Sequence, residues 1–359
     1  MKTWLATLAL GVSCMAHGDA LQDRFATVWE SLWYQGGSPT SVFRWDGEIR
    51  VHIHGRNKQM HRARVMAALG KVSTLAGMRL LDVSDAPEAA RNANLDVEIV
   101  GNDDLPDNQA CFVRYLEVAR SRIRQAELKM RDHAVYDCVL HEAMHVMGIV
   151  GHPTGDTVLS YFYQRVDALT ALDALMVRAW YSPQMRPGMT PFSAAVVLTD
   201  AVVAAHDGNA EQASEARNRF LQGILRDMEA FCAEQGDVPV ILKRSGTAST
   251  QAISDGRLLM QFYLGIAYAD GTIVQSDMQT GLRWLERAAR GGLLYAQLTL
   301  GHLFEDGDAV KADRSQAYIW FSMAAAQDVP AATEAVKRLS AAMSPDEVEA
   351  AKARIPAPP

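Results

Sequence analysis

Displaced by thirty-six residues, the C-terminal part of the chain falls on itself. Leu264-Gly265 meets Leu300-Gly301, Gly271 meets Gly307, Trp284 meets Trp320, and Ala288-Ala289 meets Ala324-Ala325. A period of that length admits few folds, because each unit can bury its apolar face only by stacking on the next. Each unit reads as helix, glycine-containing turn, helix. Asp277 and Asp313 stand near the starts of second helices, where a carboxylate satisfies exposed amides and favours the helix dipole. Two units are few for an independent solenoid, so extra helices are expected to cap them. One begins at Ser344-Pro345, and another helical stretch spans 199–233. The polar stretch 245–254, rich in Ser, Thr and Gly, reads as a mobile link.

Over about 256–327 this pattern resembles the Sel-one-like relatives of tetratricopeptide repeats. The resemblance implies an all-α solenoid that binds protein or peptide on a concave face, or stabilises its neighbours.

The N-terminal half has a different period. Residues 48–55 and 95–100 alternate polar and apolar side chains, as half-buried strands do. Two more strands are expected over 112–118 and 121–130. Between them and the first strand, 63–75 carries Val65, Met66, Leu69, Val72 and Leu75 on one helical stripe. A second helix opens at Asp132 or His133 and runs to about Met147, and an amphipathic helix over 168–180 buries Leu169, Leu172, Leu175, Met176 and Ala179. The expected fold class is α+β, a mixed sheet with an active-site helix, followed by an all-α repeat domain.

With 359 residues, 49% of them hydrophobic and 21% charged, the chain is long enough for two or three domains. The net charge of -7, with both signs interspersed, lacks the basic footprint of a nucleic-acid binder. Met1-Lys2-Thr3 followed by the apolar run 4–12 reads as a signal peptide, with cleavage after Ala16 or Ala20. A buried N-terminal helix, or lipidation of Cys14 after a poor lipobox, are the competing readings. No later segment is long and apolar enough to span a bilayer. The mature protein is therefore expected in the periplasm or outside the cell. Export leaves Cys111, Cys138 and Cys232. An oxidising compartment lets Cys111 pair with Cys138, and Cys232 reads as a buried thiol. The expected organisation is signal peptide 1–20, mixed α+β domain 21–191, helical connector and link 192–255, and repeats with a capping helix over 256–359.

The chemistry is concentrated in His141-Glu142-Ala143-Met144-His145. Residues four apart share one helical face, so the two imidazoles can converge on one cation, and neutral imidazole suits zinc. Glu142, next to the first ligand, is the expected general base, taking a proton from the attacking water and returning it to the leaving amine. Gly148 ends the helix where the chain must turn back, and His152 follows four residues later as third ligand. The alternative is an exposed helix that happens to carry two histidines and a glutamate.

His141-Glu142-x-x-His145-x-x-Gly148 resembles the metzincin zinc-peptidase signature. That signature puts its third ligand at position 151, which is Gly151 here, with His152 one residue late. The stretch from about 44 to 189 is more similar to a family of exported bacterial zincin-like proteins. In that family a cysteine precedes the helix and the third ligand takes the later position, as Cys138 and His152 do. Over 156–161 the chain resembles the turn that carries a methionine beneath the metal in metzincins, with Leu159 in its place. Tyr161 matches a tyrosine that in some metzincins approaches the metal and stabilises an oxyanion; a packed core aromatic is the other reading.

His52 and His54 share one face of their strand. They read either as part of a second metal site, with no third ligand in view, or as surface or supporting histidines. His206 and His302 lie in stretches read as helical, structural or exposed. Two functions follow. One is an active zinc peptidase that cuts peptide bonds, its repeats recruiting a protein or peptide substrate. The other is a catalytically silent adaptor that binds protein partners through the repeats. The intact Glu142 favours the first, and the late His152 and Leu159 favour the second.

Overall fold

In the computed structural model, residues 12–34, 38–106, 109–160, 168–239 and 250–356 are described. They divide into two units, Met1–Gln35 with Thr40–Leu221, and Gly36–Pro39 with Gln222–Pro359.

The first unit follows the alternation of its strands. In β1 (Ile49–Gly55), Ile49, Val51 and Ile53 are buried, while His52 and His54 face the other way, because successive strand side chains point to opposite sides. The other sheet strands are β2 (Leu80–Asp82), β3 (Leu95–Val100), β4 (Cys111–Ala119) and β5 (Arg122–Arg131). Their order is β2-β1-β3-β5-β4. All neighbours are parallel except β4 and β5. These two close a tight hairpin through Arg120 and Ser121, at φ 51° and 59°, the left-handed pair that matches the twist of the flanking strands. Val51, Leu95 and Ala126 are neighbours across three strands, and all three are buried.

Helices cover the apolar face. α1 (Val12–Glu30) buries Leu21, Phe25, Val28 and Trp29, and α2 (Lys58–Leu75) buries Val65, Leu69 and Val72. After the short α3 (Ala89–Asn92) comes α4 (Val135–Val146), entered through a 3₁₀ turn at Asp132–Ala134. α5 (Ala171–Trp180) packs on α2, and α6 (Pro191–Ala204) on α1 and α5, with Phe192 stacked on Trp29 at 5.8 Å. The mixed α+β class is observed. β2 and α3 escape the sequence reading because three or four residues carry no period. α2 begins five residues before the expected 63, and Met66 and Leu75 are only half-buried on it. Residues 1–11 of the expected leader lie outside the described residues. Among the described residues no helix is long and apolar enough to cross a membrane.

The second unit is helical. After α7 (Ala210–Cys232), within which the two units divide, come α8 (Thr250–Asp270), α9 (Met278–Arg290), α10 (Leu294–Asp306), α11 (Arg314–Ala325), α12 (Pro330–Ala341) and α13 (Pro345–Lys352). The repeat is carried atom by atom. Asp277 caps α9 through the Thr280 amide at 3.1 Å, and Asp313 caps α11 through the Gln316 amide at 3.0 Å. The Asp277 and Asp313 amides return to the carbonyls of Tyr268 and Phe304, both at 2.9 Å. Ala288, Ala289, Leu300 and Trp320 pack between the hairpins. Ser344 opens α13 with a capping box to Glu347, as its Ser-Pro start implies. The stretch read as a mobile link ends differently, since Thr250 already begins α8; residues 240–249 lie outside the described residues. The helical stretch over 199–233 comprises the end of α6 and all of α7, and His206 sits in the break between them rather than in a helix. His302 is exposed on α10, and Cys232 is a buried free thiol.

Candidate metal centre

α4 is fixed before it is functional. The last carbonyls of a helix have no partner within it, and here side chains from β4, from the segment before β1 and from the turn after α5 supply donors. The Tyr115 hydroxyl donates to the His145 carbonyl at 2.5 Å, the Trp45 indole to that of Val146 at 2.8 Å, and the Tyr181 hydroxyl to that of Met147 at 3.0 Å. Burial pushes the Tyr181 phenol far above its usual range, so it remains a donor. A disulfide joins Cys111 at the start of β4 to Cys138, which lies in the first turn of α4 rather than ahead of the helix, with Cα atoms 6.5 Å apart. It is the pairing expected from the sequence. At Gly148 (φ +90°) the chain leaves the helix so close to Phe43 that a Cβ would stand 2.3 Å from its carbonyl oxygen.

On this helix His141 and His145 face the same way, and the loop after Gly148 returns His152 to them. Their three Nε2 atoms form a nearly equilateral triangle, with edges of 3.0, 3.0 and 3.1 Å. The Nδ1–H of His141 donates to the Val158 carbonyl at 2.8 Å, and that of His145 to the Ile149 carbonyl at 2.7 Å. Those bonds assign the tautomer. With Nδ1 protonated, both Nε2 atoms present lone pairs, and they do so toward each other. Burial holds His141 below the ordinary imidazole range and His145 well below it. Burial first, and then neighbouring His141, brings His152 down to about 3. The three rings are therefore neutral at physiological pH, the state that ligates zinc.

Two unprotonated nitrogens 3.0 Å apart repel unless something positive lies between them. Nitrogens bound at about 2.0–2.1 Å around a tetrahedral ion stand about 3.3 Å from one another, close to the edges observed. The donor set and its spacing fit zinc.

Glu142 is buried, at 6% exposure, and its Oε2 has no hydrogen-bond partner among the described residues. Burial alone pushes its carboxyl up to about 8. Leu159 is fully buried in the turn that follows. Tyr161 lies outside the described residues. The local sign of Asp173 is the capping box Thr170-x-x-Asp173, which says nothing of its contacts with the preceding turn. Its buried carboxylate accepts from the Thr157 hydroxyl, the Val158 amide at 3.2 Å and the Thr170 amide at 2.8 Å. It thereby fixes the turn whose Val158 carbonyl orients His141.

The place of the third histidine has a physical cause. Gly151 donates its amide to Ser31 at 3.0 Å, and a Cβ there would stand 2.3 Å from the Glu30 carbonyl oxygen. Position 151 has no room for a side chain, so the ligand comes from 152. Glu30 holds the same loop again, its carboxylate accepting from the Thr154 amide at 2.7 Å and hydroxyl at 2.9 Å.

His52 and His54 do not join this cluster. They meet Asp96 of β3 instead, His52 Nδ1 at 2.8 Å and His54 Nε2 at 2.9 Å.

Residues 259–293 and 294–329 each match the Sel1 repeat. No curated protein matches the chain. Among solved structures, the chain is similar to the crystal structure of c5321, a protective antigen present in uropathogenic Escherichia coli strains displaying an SLR fold. The identity is 22%, the match covers 52% of this chain and 40% of that one, and the TM-score is 0.26. The chain thus spans well under half of that protein's length. Residues 19–200 match the model of a family described as a protein of unknown function, DUF2927. Since that match spans just over half of the sequence, the protein belongs to the DUF2927 family and carries two Sel1 repeats behind its family domain.

Proposed function

We propose that the protein is an exported zinc-dependent peptidase of zincin-like type, in which His141, His145 and His152 hold the metal and Glu142 moves the proton. The observation that carries this reading is the His141–His145 pair, two lone-pair nitrogens held 3.0 Å apart by carbonyl bonds on their far sides. When bound, zinc supplies a water acidified to a pKa of about 7 and a Lewis acid for the scissile carbonyl. The chain's own groups supply the rest. Isolated by burial, Glu142 holds a proton at neutral pH; beside a divalent cation its charged form is favoured. It can then accept a proton at the unpartnered Oε2 and pass it to a leaving amine. Asp173 and the Val158 carbonyl keep the His141 ring in place through that exchange.

A peptide substrate is favoured by the neighbouring strand. β4 is one of the two edge strands of the sheet, and its Tyr115 is bonded to the His145 carbonyl. Among the described residues no strand pairs with its outer side, where an extended chain can add. Leu116 and Val118 on that strand are exposed. The Cys111–Cys138 disulfide and the apolar run 4–12 support export to an oxidising compartment, periplasmic or extracellular. Sel1 repeats support contact with a protein substrate or partner.

The deciding experiment is zinc analysis of the purified mature protein together with cleavage of a broad peptide library. About one zinc per chain at this site, lost in His145→Ala, and cleavage lost in Glu142→Gln are the expected results. A His145→Ala protein as metal-rich as the parent refutes the site. Full occupancy with no peptide cut favours the second reading, a silent adaptor acting through its repeats, to which the Leu159 turn and the repeats themselves lend support.

A further inference from the structure

The sheet's other face carries a second convergence of metal-binding side chains. His52 and His54, two apart on β1, point to the same side. The β1–β3 register sets Asp96 directly opposite His52. The Asp96 carboxylate gives one oxygen to each ring, Oδ1 to His52 Nδ1 at 2.8 Å and Oδ2 to His54 Nε2 at 2.9 Å. The rings lie nearly parallel, 4.8 Å apart and 13° from coplanar stacking. All three residues are half-buried. Their surroundings are already balanced. Glu98 is paired with Lys129 at 2.8 Å, and Glu127 with Arg114 at 2.6 Å, so neither cation neutralises Asp96 in place of an ion.

We propose that His52, His54 and Asp96 form a second metal site, taking one nitrogen-preferring divalent ion such as Zn²⁺ or Cu²⁺. Two ligand atoms at right angles around an ion with bonds of about 2.0–2.1 Å stand about 2.9 Å apart. The ring nitrogens now stand at hydrogen-bond distances of 2.8 and 2.9 Å from the two carboxylate oxygens, so an ion can replace the shared protons with little movement of the ligands. Two imidazoles and one carboxylate leave coordination positions open toward solvent, so the site takes a free ion together with water. Two neighbouring strands paired in register hold the ligands, so little ordering is needed on binding. The strand histidines are visible in the sequence, but the carboxylate that completes them comes from another strand forty-odd residues on, through parallel pairing.

The site is tested by zinc alone, in the full chain. In a His141→Ala, His145→Ala double variant, equilibrium dialysis at micromolar free zinc should still find one zinc per chain. Adding His54→Ala or Asp96→Asn should weaken it by roughly tenfold to a hundredfold or more, since even outer partners of ligands cost that much. A folded double variant that holds no zinc overturns the proposal, as does undiminished affinity after Asp96→Asn. Should the double variant fail to fold, the parent serves: its zinc content falls from two to one on His54→Ala, and an unchanged count refutes the site. The two centres fail separately. One equivalent lost in His54→Ala but kept in His145→Ala sinks the three-histidine centre and leaves this one; the reverse sinks this one.

Discussion

Replacing Gly151 by alanine should loosen zinc without touching a ligand. A Cβ at this position would stand 2.3 Å from the Glu30 carbonyl oxygen and 2.6 Å from the Ser31 Cα. Real Cβ atoms essentially never approach closer than 3.0 Å, so the loop must retreat by at least 0.7 Å. The obstructing atoms are backbone, next to the buried Trp29 and Leu32, and cannot swing aside as a side-chain tip can. Retreat stretches the Gly151–Ser31 hydrogen bond and carries along His152, the next residue. Zinc sites hold their bond lengths to about 0.2 Å, so the shift exceeds the tolerance several-fold. Zinc affinity should fall by roughly tenfold to a hundredfold, as when a ligand's support is lost. Overpacking should cost about 1–3 kcal/mol of stability. Competition with a chromophoric chelator measures the first and urea unfolding the second, with His152→Ala marking the largest loss available. A Gly151→Ala protein with parental zinc affinity and stability refutes the account of why the ligand stands at 152. So does a Gly151→His, His152→Gly double variant that binds zinc as well as the parent.

Three further outcomes are expected. Glu142→Gln should retain zinc and fold, and slow cleavage of any substrate the parent cuts by about a hundredfold to ten-thousandfold; equal rates remove Glu142 from the mechanism. Serine at both Cys111 and Cys138 opens a loop of 27 residues, and loop entropy puts the loss near 3–4 kcal/mol, to be read from urea unfolding against the oxidised parent. The Cys232 thiol is raised well above the ordinary range by burial, so it should stay protonated and unreactive toward iodoacetamide even at pH 9. Labelling should appear in urea, and rapid labelling of native protein at that pH contradicts the buried placement.

What could be read from the sequence, and what could not, divides by the range of the contacts involved. The repeats were legible because a period needs no knowledge of the rest of the chain, and Gly271 and Gly307 punctuate it at equivalent places. His141 and His145 were legible because one helical turn brings them together. The limits of β2 and α3 were not, since such short elements owe their form to neighbours. The groups that hold the site come from further away. Trp45 caps α4 from 101 residues upstream, Tyr181 from 34 downstream, and Asp96 reaches His52 across 44. α1 after residue 20 does carry the helical period, since Leu21, Phe25, Val28 and Trp29 fall at i, i+4, i+7 and i+8, but nothing local names Phe192 and Phe220 as the residues they meet. The displaced third histidine belongs with these. A helix fixes the spacing of its own ligands, but a ligand on a returning loop stands wherever the backbone behind it leaves room. At 151 that backbone is the end of α1, so spacing inherited from another fold is a poor guide to the loop ligand and a good one to the helical pair.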